Sequence, residues 1–314
     1  MHFVIIGQGS SASRFINILL TKKHQISVYQ HKLGMSVPRG CGTLSSLNDL
    51  SLYQGMIISS PTSTHLKYLT LAVNQHLPVL VEKPFSDSMK GVEKLLSLAR
   101  KKGVPIMIGL NLRFLPIVRK IKEYLDQGQL GQILHADLYV GQYLPTWRPW
   151  LDYRQNYSAN YQRGGGVALD LIHEIDLFLY FFPGIKLTRV VSNKLSGLEI
   201  DVEDFACFQT TTPPYVQVKM DYLHHLKTRQ YRIVGSRGSL NCDIFNRHFE
   251  YCSIDGQKKV ITDLKYFDVS KTFETEIDEF IKVIKTKKQP ELTERSLAID
   301  ALQIAMKARK HVSG

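Results

Sequence analysis

Along the first third of the chain, apolar-rich runs of about five residues alternate with longer stretches in which apolar positions recur every three or four residues. Residues 2–6, 25–29, 55–59, 77–81 and 105–109 have the length and bounding turn residues of buried strands. Between the first two, Phe15, Ile16, Leu19 and Leu20 give residues 13–21 one apolar helical face. A second helix, capped by Ser and Thr, is predicted to run to about Asn74. Strands alternating with helices predict a doubly wound parallel sheet. Beyond Gly184 the pattern changes: strand-like runs at 216–222, 230–234 and 239–244 follow one another without regular helices, which predicts an α+β region. Two helices close the chain, at about 273–285 and 294–311, the last with Leu297, Ala301, Ile304, Ala305 and Ala308 on one face.

The turn after the first strand carries chemistry. Gly7-Gln8-Gly9-Ser10-Ser11-Ala12 matches G-x-G-x-x-G/A between strand and helix, the context that a dinucleotide site requires. Gly7 permits the turn, Gly9 lets backbone approach a pyrophosphate, Ala12 keeps helix and sheet close, and free amides at Ser10 and Ser11 face the anion. The second strand ends at Gln30, His31 and Lys32, where an NAD-selective site places an acid for the ribose 2′-hydroxyl. These neutral and basic residues favour NADP, with NAD left open. In such sheets ligands bind at the carboxyl ends of strands, which gathers Gly9, the Ser60-Pro61-Thr62 loop with His65, Glu82-Lys83-Pro84, and Asn111 with Arg113 on one edge. Glu82 is expected to brace the cofactor loop.

Length and composition set the frame. A chain of 314 residues with 44% hydrophobic and 22% charged residues is expected to form two globular domains. The N-terminus lacks the charged and apolar regions of a signal peptide, and the longest later apolar run, 177–183, is too short to span a bilayer. Four scattered cysteines indicate reduced cytosolic thiols, with neither disulfide framework nor metal site. The net charge of +12 is spread in single residues and pairs, which points to an anionic small molecule and away from nucleic acid or membrane.

Several ordered motifs together carry a family resemblance: the glycine turn, Pro61-Thr62-x-x-His65, Glu82-Lys83-Pro84, residues 109–114, Gly128 to Gly131, and Gly164-Gly165-Gly166 running on to Asp170, His173 and Asp176. With them the chain resembles the glucose-fructose oxidoreductase and inositol dehydrogenase family, written Gfo/Idh/MocA. The resemblance implies a Rossmann domain at 1–113, a substrate and oligomerisation domain at 114–292 with an open, largely antiparallel sheet, and a last helix, 293–314, returning to the first domain. It also implies hydride transfer between nicotinamide and a sugar or polyol carbon, in a homodimer or homotetramer joined through the open sheet face. Oxidising an alcohol requires a proton acceptor and a cation to stabilise the alkoxide. By resemblance these are His173 and Lys83.

Asp170, three residues before His173 on what is expected to be one helix, is placed to orient the imidazole, with Asp176 as its rival. Many members separate this pair by four residues, so the chain departs from the family here. The stretch 143–154, with Trp147, Arg148, Tyr153 and Arg154, reads as an irregular loop that stacks on a sugar ring and, with Arg163, grips an anionic group. Interface packing is the alternative for that loop. The stretch also resembles members from surface-glycan pathways. His224 and His225 carry no motif and are read as sheet residues. A non-catalytic nucleotide-binding sensor is the competing function.

Overall fold

A computed structural model describes residues 1–29, 37–288 and 295–312. The elements in chain order are β1 (His2–Ile6), α1 (Ser10–Thr21), β2 (Gln25–Tyr29), β3 (Gly42–Leu44), β4 (Gly55–Ile58), α2 (His65–Asn74), β5 (Val79–Glu82), α3 (Val92–Lys102) and β6 (Ile106–Gly109). They continue with α4 (Pro116–Asp126), β7 (Ile133–Gly141), α5 (Leu144–Trp147), α6 (Val167–Asp170), α7 (His173–Phe181), β8 (Arg189–Asn193), β9 (Phe205–Gln209) and β10 (Tyr215–Asp221). Last come β11 (Thr228–Gly235), β12 (Gly238–Asp243), β13 (His248–Ser253), β14 (Lys258–Ile261), α8 (Val269–Thr286) and α9 (Arg295–Ala308).

Two compact units result, Met1–Asn111 with Ser270–Ile299, and Leu112–Val269 with Asp300–Gly314. In the first, six parallel strands lie in the order β3-β2-β1-β4-β5-β6. Strands β1, β4, β5 and β6 are almost wholly buried, as expected of a sheet covered on both faces. Ala12, Phe15, Ile16 and Leu19 form the buried face of α1. Helix α8 belongs to this unit: Phe280 stacks on Phe3 of β1, and Phe273 meets Phe15 of α1.

The second unit is built on eight strands in the order β14-β13-β12-β11-β7-β10-β9-β8, antiparallel except for β7 beside β10. Helix α7 packs on β7 and β10, and α4, in contact with α7, packs on β13 through Tyr124 against Phe249 and Tyr251, so one sheet face is buried. The other stays polar, with Asp137, Gln217, Gln230 and Arg232 lining a cleft on it. Because β7 and β10 run parallel, their ends Gly141 and Asp221 lie side by side. The chain therefore leaves both strands along one edge of the sheet.

Several expectations change. The unit boundary falls within α9: residues up to Ile299 group with the first unit and those from Asp300 onward with the second, and α8 packs on the first sheet through Phe280. Ala301, Ala305 and Ala308 of α9 are buried and Ile304 is half-buried, while the side chain of Leu297 lies outside the described residues. The single helix expected through Asp170 and His173 is two, since Leu171 and Ile172 form a turn between α6 and α7. His224 and His225 sit in the turn after β10, where His225 stacks on Tyr143 at 4.3 Å between centroids. Among the described residues, no helix is long and apolar enough to cross a membrane.

Candidate functional site

In the first unit the site begins at Gly7, whose φ of +117° suits only glycine. A Cβ there would also lie 2.5 Å from the Ser59 carbonyl oxygen. Gly9 precedes α1 without a side-chain cap, and a Cβ on it meets nothing within 4 Å, so the space over the turn is open. The first amides of α1 have no intrahelical acceptor. Beside them the buried Nε2 of Gln8 has no hydrogen-bond partner among the described residues. An open cradle with bare amides and an unmet donor fits a pyrophosphate. Gln30, His31 and Lys32, expected at the ribose, lie outside the described residues.

The neighbouring loops are tied together from behind. His65 is 1% exposed; its Nδ1 lies 2.9 Å from the Pro84 carbonyl and its Nε2 2.9 Å from that of Ser60. Burial pushes its pKa below the ordinary imidazole value, against the pull of those carbonyls and of Asp87. His65 thus braces the loops after β4 and β5 from behind. Thr62 is buried as well, while the Ser60 and Thr64 hydroxyls share a 2.6 Å hydrogen bond ahead of α2. Glu82 accepts from the Lys83 amide at 3.2 Å and from the Ser11 hydroxyl. Lys83 follows at the end of β5, half-buried, joined to Pro84 by a cis peptide bond. Asn111 donates to Thr272 Oγ1 of α8 at 2.7 Å, which places its amide against the protein.

One residue here was not singled out from the sequence. Glu276 of α8 is fully buried, and neither carboxyl oxygen has a hydrogen-bond partner among the described residues. Burial and the neighbouring charge of Glu82 push its pKa well above the carboxylate range, with Arg14 opposing. A Glu on the apolar face of an amphipathic helix, here one turn before Phe280, was the available signal.

The second unit assembles around Asp170 and His173, both buried. Three hydroxyls donate to the Asp170 carboxylate: Tyr157 at 2.7 Å, Ser158 at 2.6 Å and Tyr222 at 3.2 Å. Such bonds favour the charged form. Trp147 meets Tyr222 edge-on at 5.8 Å, and the Arg148 guanidinium lies 5.5 Å over the Tyr157 ring. The stretch expected to be an irregular loop therefore contains α5 and packs on the tyrosines that hold Asp170. The glycine triplet makes this compact: a Cβ on Gly165 would fall 2.3 Å from the Tyr157 carbonyl oxygen, and one on Gly166, where φ is +110°, 2.5 Å from Glu203 Oε1.

Glu203, fully buried, accepts from the amides of Ala168 at 3.2 Å and Lys310 at 3.1 Å. Burial pushes its pKa up to about 7 against those amides and the charge of Arg309. It was not found from the sequence, although a Glu-Asp pair just ahead of the apolar run of β9 is a signal of committed carboxylates. Arg113, expected at the substrate, is instead 1% exposed and forked onto Asp176, with Nε donating at 2.8 Å to Oδ2. Asp176 is thereby engaged and ceases to rival Asp170. Arg154 is exposed and held by Asp152 and by Glu199 at 3.0 Å, so its guanidinium is already paired. Tyr153 accepts from the Glu199 amide at 3.2 Å. Among the described residues, no cluster of His, Cys, Asp or Glu is arranged to hold a metal ion.

Comparison with known proteins agrees with this layout. Residues 1–110 match the model of the oxidoreductase family with an NAD-binding Rossmann fold, and 118–241 match the GFO/IDH/MocA C-terminal domain. A glucose-6-phosphate 3-dehydrogenase of Bacillus subtilis is 27% identical over 200 residues, 61% of this chain and 57% of that protein. An inositol 2-dehydrogenase of Mycolicibacterium vanbaalenii is 25% identical over 196 residues, 59% of this chain and 52% of that protein. The matched stretch thus spans little more than half the length of these relatives. Among solved structures, a UDP-N-acetylglucosamine 3-dehydrogenase of Acidithiobacillus ferrooxidans superposes with a TM-score of 0.76 at 18% identity, covering 98% of this chain and 96% of that one. Both sheets, their motifs and both family models lead to one assignment: the chain belongs to the GFO/IDH/MocA oxidoreductase family.

Proposed function

We propose that the protein is an NAD(P)-dependent dehydrogenase or reductase acting on a hydroxyl- or keto-bearing carbon of a sugar or sugar derivative. The observation that carries the reading is the open, uncapped turn Gly7–Ala12 at the edge of a parallel sheet. Support for the substrate class comes from relatives named for glucose 6-phosphate, inositol and UDP-N-acetylglucosamine. An acidic, amino or nucleotide sugar of a surface-glycan pathway is the substrate we favour. Arg148 and Arg163 are its anion partners, and the +12 charge suits an anion. NADP is favoured over NAD on the sequence of Gln30, His31 and Lys32. The site of action is the cytosol, and the open polar face of the eight-stranded sheet is the surface through which two or four copies join.

Gly9, Ser10 and Ser11 hold the pyrophosphate by backbone amides, and Glu82 steadies the turn through Ser11. When bound, the nicotinamide accepts or supplies the hydride. In the oxidative direction His173 takes the hydroxyl proton on a ring nitrogen as the hydride leaves carbon, and the Lys83 ammonium stabilises the charge on oxygen. Asp170, whose carboxyl accepts from three hydroxyls, stands near His173 to favour the imidazolium that forms.

The test is fluorescence titration of the purified protein with NADH and NADPH. Saturable binding that Gly9→Asp weakens at least about a hundredfold is expected, because a carboxylate would enter the anion's space. Folded protein that binds neither nucleotide overturns the reading. Turnover of glucose 6-phosphate, inositol or UDP-N-acetylglucosamine, lost in His173→Asn, assigns the chemistry; binding without turnover of any sugar favours the sensor.

A further inference from the structure

The chain after α9 lies across the second unit and is fastened there repeatedly. Ser192 Oγ donates to the Ala308 carbonyl at 2.6 Å, Lys310 Nζ to the Ser192 carbonyl at 2.8 Å, and the Val312 amide to the Asp201 carbonyl at 3.0 Å. The Arg309 guanidinium donates to the Tyr161 carbonyl and lies 3.9 Å over that tyrosine's ring. Chain ends fray unless such bonds hold them. This tail is held to the same segments, 157–163 and 192–203, that surround the Asp170 turn.

Glu203 stands where the tail meets α6. Its Oε1 accepts from Ala168 in the first turn of α6, its Oε2 accepts from Lys310 in the tail, and its own carbonyl accepts from the Val167 amide at 3.2 Å. The space left by the missing side chain of Gly166 is the space its carboxyl fills. Helix α6 has four residues and no side-chain cap at Gly166, so the Ala168 amide in its first turn depends on this carboxyl for its partner, while the Val167 amide takes the Glu203 carbonyl. Asp170 ends α6, and His173 follows after a two-residue turn.

We propose that Glu203 is a positioning residue for the reaction: by gripping the Ala168 and Lys310 amides at once, its carboxylate clamps the C-terminal tail to α6 and so sets the placement of Asp170 and His173. The proposal rests on the catalytic reading of those two residues. As a carboxylate, Glu203 accepts on both oxygens; protonation turns one oxygen into a donor facing an amide donor, and one grip is lost. With its pKa near 7, that release falls in the neutral range. Arg309 opposes it from the tail, where Lys310 and His311 also lie. Tyr222 faces Glu203 from the end of β10, and Asp170 and Tyr157 stand on the far side of that hydroxyl. Asp201 and Asp204 flank Glu203 on its own segment, the one near His311 at 3.9 Å and the other bound to the amides of Leu195 and Ser196.

The experiment is an NMR titration of the full chain from about pH 5.5 to about pH 8.5, following the Ala168 and Lys310 amides and the His173 ring. In the wild-type protein both amides are expected to shift with one shared midpoint near 7, and the His173 ring to show an inflection at that midpoint. Glu203→Gln is expected to abolish the shared midpoint and that inflection, and Glu203→Asp to restore both in part. Should Glu203→Gln fail to fold, Lys310→Pro removes the tail's amide donor together with the Lys310 side chain; with Lys310→Ala as the control for the side chain, the proline variant is expected to shift Ala168 and His173 beyond that control, as low pH does. Separate midpoints for the two amides, or a His173 curve indifferent to these variants, overturn the proposal. Nucleotide titration of the same samples keeps the two readings apart: loss of the shared midpoint with intact NADH binding removes only the clamp, whereas absent nucleotide binding removes the enzyme.

Discussion

In the first unit the turn Gly7–Ala12 is made by its own backbone: a glycine at positive φ, a second glycine with empty space above it, and a helix that starts at once. In the second unit the Asp170 turn is made by others. Its carboxylate is held by Tyr157, Ser158 and Tyr222, and the helix carrying it is capped by Glu203, itself tied to Lys310. The first turn is a local device that suits a ligand shared by many enzymes. The second is a distributed one, whose geometry can be changed by altering distant segments. A local device is broken by one backbone change; a distributed one loses function in graded steps.

The largest effect is expected where the second unit places a buried charge pair. Arg113→Ala leaves Asp176 unpaired and should destabilise the protein by about 3–5 kcal/mol in urea unfolding. Replacing both partners with apolar residues of similar volume should recover most of that loss, and failure to do so would show that the pair also serves the site. Next comes the pH dependence from Glu203. Its carboxyl titrates near 7 in the folded protein against an ordinary 4.5, so between those values the folded chain holds a proton that the unfolded chain has released. Stability therefore falls as pH rises through that window, by up to about 3 kcal/mol from this group. Glu82, Glu174 and Glu276 are raised by burial in the same sense, so the measurement is the difference between unfolding curves of wild type and Glu203→Gln, which should be flatter.

For the local turn, Gly7→Ala forces a Cβ against the Ser59 carbonyl at positive φ and is expected to lower stability by about 1–3 kcal/mol. Nucleotide affinity should fall with it, because the loop after β4 must move. The smallest effect is expected of Tyr157→Phe, about 1 kcal/mol, since Ser158 and Tyr222 still hold Asp170. Its kcat should drop more than its KM. A Tyr157→Phe enzyme as damaged as Asp170→Asn would contradict the distributed picture, in which the hydroxyls share the load.

What the sequence by itself determined follows short-range rules. Five strands of the first sheet, the helix α1 and the glycine turn were legible because burial writes apolar runs and because positive φ and close approach select glycine locally, whereas the short, exposed edge strand β3 writes no such run. The family motifs singled out Lys83, Asp170 and His173 as candidates as well, but gave no sense of what surrounds them. Tertiary structure alone decided that Arg113 turns inward to Asp176 and that His65 braces two loops from behind. It alone decided that Phe280 of α8 meets Phe3 in the first sheet, while the tail joins Glu203. Apart from His65 with Ser60, those partners lie 19 to 277 residues apart, and the parallel pairing of β7 with β10 brings Tyr222 to Asp170 across 52. A side chain's burial and partners depend on which distant segment arrives beside it, and no local pattern of apolar and polar positions encodes that arrival.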